Sequence, residues 1–302
     1  MTDGMVLINK PEGISSARVV NQVKKMFQVK KAGHTGTLDP FATGLLPVAL
    51  GQATRLSRFF LGGAKRYRAR VRLGIETDTY DRTGRIVSQA DPDCLAAIDP
   101  AQVGETAAGF KGKQSQVPPS FSALKHQGQP LYKLARQGEM IQKPARSIEI
   151  FSIQVTAVTL PEFELDIHCS GGTYIRSLAH DMGAKLGCGA HLSALCRTGV
   201  SHFTLDQAVD LEAMPDLPPD RRGVIPMTDC LSFLPRIQAD EALAQKIGHG
   251  GKLSDQDFRS GPVHPLTAKS PVRITDSQNR LIAVIEADPA GSGYNYCCVF
   301  NG

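Results

Sequence analysis

The stretch Gly33-His34-Thr35-Gly36-Thr37-Leu38-Asp39-Pro40 gathers a carboxylate, an imidazole and two hydroxyls between glycines. Glycines let backbone approach a ligand closely, and a carboxylate on such a loop can act as base or nucleophile. Spacing alone favours a plainer reading, with Asp39 as the N-cap of a helix and Pro40 at its first position. Both hold together if the capped turn is a rigid mount for the carboxylate. His34 is, on the same terms, a hydrogen-bonded loop residue. Metal chemistry has no support. The seven cysteines include no CxxC pair; Cys188 and Cys196 lie eight apart, and Cys297 and Cys298 are adjacent. An odd cysteine count also argues against a disulfide framework and for a reducing cytoplasm.

The elements around this loop are legible from periodicity. Residues 65–73, KRYRARVRL, alternate strictly, with Tyr67, Ala69, Val71 and Leu73 on one face and four arginines on the other. On that face Tyr67 is a core aromatic as readily as a functional one. FELDIHC at 163–169 is a second alternating strand. It leads through Gly171-Gly172 into a helix with Ile175, Leu178, Met182 and Leu186 on one side, stopped at Gly187. Ser caps a helix over residues 17–27. Residues 33–51 read as a structured loop, too rich in Gly and Pro for a continuous element. Residues 111–146 form a polar, basic insertion, and 215–226 a Pro-rich connection. Beyond 237, a short helix and several strands make a small β-rich unit. The fold class is α+β with a mainly antiparallel sheet, divided into a domain over 1–236 and another over 237–302.

Composition excludes some classes. No run approaches the ~20 apolar residues of a membrane helix, and the N-terminus lacks a secretory apolar region. Net charge is +5, yet residues 1–90 carry 15 Lys/Arg against 6 Asp/Glu. That bias suggests a polyanion on one face, although a solvated basic face is the commoner cause.

GHTGTLDP followed by ATGLLPVALG resembles the catalytic loop of the TruB family, the tRNA pseudouridine-55 synthases. NKPEGISS, KRYRARVRLGIETDTYDRTG, SFSALKHQGQPLYKLARQG, SGGTYIRSLAHDMG and CGAHLSALCRTGVSHF continue the resemblance in order over about 200 residues. The resemblance implies a pseudouridine-synthase fold with a PUA-like C-terminal domain. It implies that uracil is extruded, detached from its ribose, turned and rejoined through C5, with no cofactor. By the same match Asp39 is the catalytic aspartate, Arg176 the arginine paired with it, and Tyr67 the ring against the flipped base. Tyr174 and Leu195 match pocket contacts, and His34 a residue placed where the extruded nucleotide had stacked. Lys125 and Lys133, with Arg136, match an RNA-gripping thumb. Lys10, Arg66 and Arg68 are expected on the RNA backbone. The partner is the T-arm of tRNA, met by a monomer with no obligate protein partner. Two rivals are a tRNA-folding chaperone whose modification is secondary and an N-glycosidic hydrolase, which would release free uracil.

Overall fold

A computed structural model describes residues 2–218, 222–258, 270–289, 291 and 293–300. The alternating run at 65–73 forms the strand Lys65–Leu73, with every arginine exposed and every residue between them buried. Side chains on a strand point alternately to opposite faces, so Tyr67, Ala69, Val71 and Leu73 enter the core together. Glu162–Cys169 pairs with it antiparallel, bringing Asp166, Glu164 and Glu162 opposite Arg68, Arg70 and Arg72. The arginine row is thereby matched by an acidic row. Arg70 Nη2 lies 2.6 Å from Glu164 Oε1, and Arg68 Nε 3.7 Å from Asp166 Oδ1.

These strands are central in a ten-stranded sheet. Its main path runs Val209–Asp210, Gly4–Lys10, Thr43–Leu50, Ala190–Val200, Lys65–Leu73, Glu162–Cys169, Arg146–Thr159 and Gly112–Gln116. Pairing is antiparallel except between Thr43–Leu50 and Ala190–Val200, and between Gly4–Lys10 and Val209–Asp210. Helices Ser16–Met26, Pro100–Ala108 and Ile175–Lys185 pack against the core face. The class is α+β, as the periodicities imply.

Two expectations need correction near the Asp39 loop. No helix follows Asp39; the chain makes one turn, closed by Ala42 N–H to the Asp39 carbonyl at 3.1 Å, and enters a strand. That strand, Thr43–Leu50, has seven of eight residues buried despite Gly44 and Pro47. Gly44 sits at φ +98°, where a side chain would strike the Arg197 backbone. Pro47 falls in a gap. On that side Ala190–Val200 pairs only with Thr43 and Gly44, and Ala32–His34 only from Val48 onward. The missing N–H of proline therefore breaks no ladder bond there.

The insertion is shorter than its composition suggests. Gly112–Gln116 is an edge strand, and Arg146 pairs with Gln116, so the arm proper spans 117–145. It carries the hairpin Lys125–His126 with Gln129–Pro130 and the helix Leu131–Arg136. The C-terminal unit is a four-stranded sheet of Arg236–Gln238, Val272–Thr275, Leu281–Ala287 and Tyr294–Val299. Its first strand begins at Arg236, so a division after 236 cuts that strand. Leu281, Val284 and Phe300 share a core with Met5 and Leu45 of the large sheet and with Phe60 of the short helix Ser57–Leu61. The Pro-rich connection also adheres to that sheet, through two backbone bonds between Ile225 and Met5 (2.9 and 2.8 Å); its residues 219–221 lie outside the described residues.

Lys10 ends the first strand and is 0% exposed. Its Nζ donates to the carbonyls of Pro11, Ile14 and Pro40 at 2.8, 2.9 and 3.2 Å. Three protons meet three acceptors, so Lys10 has nothing to offer a phosphate, contrary to its expected place on the RNA backbone. Desolvation holds its ammonium down to about 8. Lys10→Met should strand buried carbonyls on two loops and lower stability by about 2–4 kcal/mol. Urea unfolding reads this; a midpoint equal to that of the unmutated chain would contradict the role.

Candidate active site

Arg176 stands in the first turn of Ile175–Lys185 and is 4% exposed. A guanidinium so placed must find partners for its donors. Asp39 Oδ1 accepts from Nη2 at 3.3 Å, and Asp39 Oδ2 lies 2.9 Å from Nε as an ion pair without hydrogen-bond alignment. Asp81 Oδ2 lies 3.3 Å from Nη1, which also donates to the Thr79 carbonyl at 2.8 Å. Nη2 donates to the Phe121 carbonyl at 2.8 Å. Three separate loops therefore meet on one side chain. Asp81 is itself buried and held by Thr79 Oγ1 (2.9 Å), Thr83 N (2.9 Å) and Thr83 Oγ1 (2.5 Å). The sequence motifs do not single out Asp81. Its signal was the Thr-Tyr-Asp-Arg-Thr run, where flanking hydroxyls mark a carboxylate fixed in a turn.

A cavity of about 280 Å³ opens above the pair and is lined by Asp39, Tyr67, Tyr174, Arg176 and Leu195, among others. About a third of the Asp39 side chain stays open, and that opening faces the cavity. Burial pushes the Asp39 carboxyl above its ordinary 3.8, with Arg176 pulling it back and Asp81 adding to the rise. Tyr67 is buried, which raises its phenol, while the adjacent Arg197 guanidinium favours the phenolate. Arg197, 1% exposed, was also missed by sequence reading. It donates to the carbonyls of Leu45, Thr37 and Gly36 at 2.8, 3.3 and 3.0 Å, bolting the Asp39 loop to the strand Ala190–Val200.

The expected residues divide clearly. Asp39, Arg176, Tyr67, Tyr174 and Leu195 come together. His34 lies outside the cavity lining, and its Nδ1 accepts from the Gly36 N–H at 3.3 Å; burial lowers its pKa, which favours the neutral ring. Lys125 and Lys133 are exposed on the arm, and the neighbouring Ala123 and Leu124 overhang the cavity. Arg66 and Arg68 point to the opposite face of the sheet from Tyr67, and Arg68 is already paired with Asp166.

Residues 24–175 match the family model described as TruB family pseudouridylate synthase (N terminal domain), and 176–222 match the tRNA pseudouridylate synthase B C-terminal domain. The chain belongs to the TruB family. It is 41% identical over 287 residues to a tRNA pseudouridine synthase B of Burkholderia pseudomallei (strain 668), covering 94% of this chain and 93% of that protein. A namesake from Chromohalobacter salexigens is 42% identical over 250 residues, covering 82% and 80%. Among solved structures, a chain in the crystal structure of a Cbf5-Nop10-Gar1 complex superposes with TM-score 0.76 at 25% identity, covering 99% of this chain and 85% of that one. The two TruB models meet between Ile175 and Arg176, so the Asp39–Arg176 pair joins them.

The charge arrangement gives a pH prediction. Asp81→Asn removes a negative charge near Asp39 and leaves Arg176 with one carboxylate instead of two. Both effects lower the Asp39 pKa, so the acid limb of the pH–rate profile should move to lower pH. The plateau rate should nevertheless fall by about tenfold or more, because the guanidinium loses a fixed partner. An acid limb that moved upward would contradict this coupling.

Proposed function

We propose that this chain isomerises uridine to pseudouridine in tRNA, acting on the T-loop uridine at position 55. The observation that carries the reading is the Asp39–Arg176 pair, 2.9 Å apart, lining a cavity of about 280 Å³ in a TruB family chain. The reaction breaks the bond from ribose C1′ to uracil N1 and forms one from C1′ to C5. N1 gains a proton and C5 loses one, so nothing leaves and no electrons are transferred outside the nucleotide. Asp39 serves any of three routes: addition to the ring, attack at C1′, or removal of a ribose proton. All three need the carboxylate ionised; burial opposes that form and the Arg176 guanidinium favours it.

The target base is extruded from its loop and takes a place against Tyr67, Tyr174 and Leu195. The exposed cations of the arm, Lys125 and Lys133, hold the RNA over the opening. The C-terminal sheet acts as a PUA-like RNA-binding unit. The protein works as a monomer in the cytoplasm; no helix among the described residues is long and apolar enough to cross a membrane.

Asp39→Asn keeps the shape of the side chain and removes its charge, so turnover of an unmodified tRNA transcript should vanish while binding largely persists. Position-resolved pseudouridine mapping is the measurement. Turnover within tenfold of the unmutated enzyme would remove Asp39 from the chemistry, and free uracil in the mixture would point to a hydrolase.

Tyr67→Phe isolates the phenol from the ring. The hydroxyl is the group near the base that can relay the C5 proton, with Arg197 beside it. Its loss should slow single turnover by roughly 10²-fold with little change in affinity. A rate equal to that of the unmutated chain at saturating enzyme would leave the ring, through stacking, as the whole contribution.

A further inference from the structure

Four cations line the Asp39 cavity: Lys65, Arg146, Arg176 and Arg197. Three have their charge met by carbonyls or carboxylates of the protein. Lys65 Nζ donates to the carbonyls of Phe60, Leu61 and Gly63 at 3.0, 2.6 and 2.6 Å. Arg197 holds three carbonyls, and Arg176 two carboxylates and two carbonyls. Arg146 is different. Among the described residues its one hydrogen bond goes to the Gly172 carbonyl; its buried Nε has no hydrogen-bond acceptor, as is true of Arg176, but where Asp39 lies against the Arg176 Nε no carboxylate lies within ion-pair distance of Arg146.

The residue is nonetheless held in place. It is the first residue of Arg146–Thr159, where the arm rejoins the sheet, and its guanidinium lies 4.5 Å from the centroid of the Tyr174 ring. A cation fixed on an aromatic face with most of its donors unused is prepared for an anion that the protein does not supply. The planar fork suits the two oxygens of a phosphate better than a point charge would.

We propose that Arg146 binds a backbone phosphate flanking the uridine that enters the cavity. This rests on the isomerase reading above. Base and ribose must descend to Asp39, whereas the charged backbone stays at the rim, and Arg146 is the rim cation with free donors. The Tyr174 ring beneath it sets the plane of the fork before RNA arrives, and the Gly172 carbonyl fixes one corner.

The test is equilibrium binding of an unmodified tRNA transcript across a salt series, in an Asp39→Asn background that prevents turnover. Arg146→Met keeps a stem over Tyr174 and removes the charge. It should weaken binding about tenfold near 0.1 M salt and reduce the slope of log affinity against log salt by about one. Arg146→Lys should restore the slope. A substrate with methylphosphonates flanking the target uridine should lose the same affinity with Arg146 present and lose nothing further with Arg146→Met. A slope unchanged by Arg146→Met, or a methylphosphonate loss that adds to it, overturns the proposal; the second outcome would mean that the guanidinium stacks on a base instead. The unmutated chain is the control. If it forms no pseudouridine, the isomerase reading falls and takes this proposal with it; if it does, the binding data judge Arg146 alone.

Discussion

A guanidinium that is 4% exposed organises this molecule. Removing Arg176 from water is unfavourable unless each donor finds an acceptor, and breaking such a buried arrangement from one side typically costs about 3–5 kcal/mol. The acceptors come from the loop carrying Asp39, the turn carrying Thr79 and Asp81, and the foot of the arm at Phe121. Catalytic loop, turn and arm share one electrostatic requirement, which helps aim Asp39 at Arg176. Asp39 alone among these acceptors keeps an open side toward the cavity.

The same device recurs wherever irregular backbone must be buried. Loops rich in Gly and Pro leave carbonyls without ladder partners, and buried carbonyls need donors. Arg197, Lys65 and Lys10 each gather three of them. Desolvation lowers both lysines to about 8, so they remain mostly charged at neutral pH and keep all three donors. Together Arg197 and Lys10 hold the carbonyls of Gly36, Thr37 and Pro40, on both sides of Asp39. A loop without regular structure thereby becomes as fixed as a helix end.

What could be read beforehand follows from this. Period-two alternation is a local signal, so the strand Lys65–Leu73 and the inward face of Tyr67 were plain. The strand Thr43–Leu50 was not, because Gly44 and Pro47 are allowed there only by how two neighbouring strands divide their pairing. Lys10, expected on the RNA backbone, is buried instead, and its three acceptors come from segments as distant as Pro40, which no local pattern reveals. Asp39 and Arg176 were reached through motif resemblance. Their pairing spans 137 positions, which no spacing rule covers. Asp81 and Arg197 act through other residues, and such roles are visible only once the chain has folded.

The charge count is where the folded chain most changes the argument. Of the 15 Lys/Arg in residues 1–90, Lys10 and Lys65 donate inward. Arg68, Arg70, Arg72, Arg82 and Arg85 each lie within ion-pair distance of a carboxylate. The remaining eight are Arg18, Lys24, Lys25, Lys30, Lys31, Arg55, Arg58 and Arg66, and five of these lie on the helix Ser16–Met26 or between it and residue 31. The face that looks most basic in sequence, the arginine row, therefore carries a ladder of opposite charges and presents a weak net field. The unneutralised charge borders the segment that leads directly into Gly33–Pro40. A polyanion approaching at a distance responds to net charge. It is drawn to the side of the sheet where Asp39 lies, and only weakly to the broader face behind it.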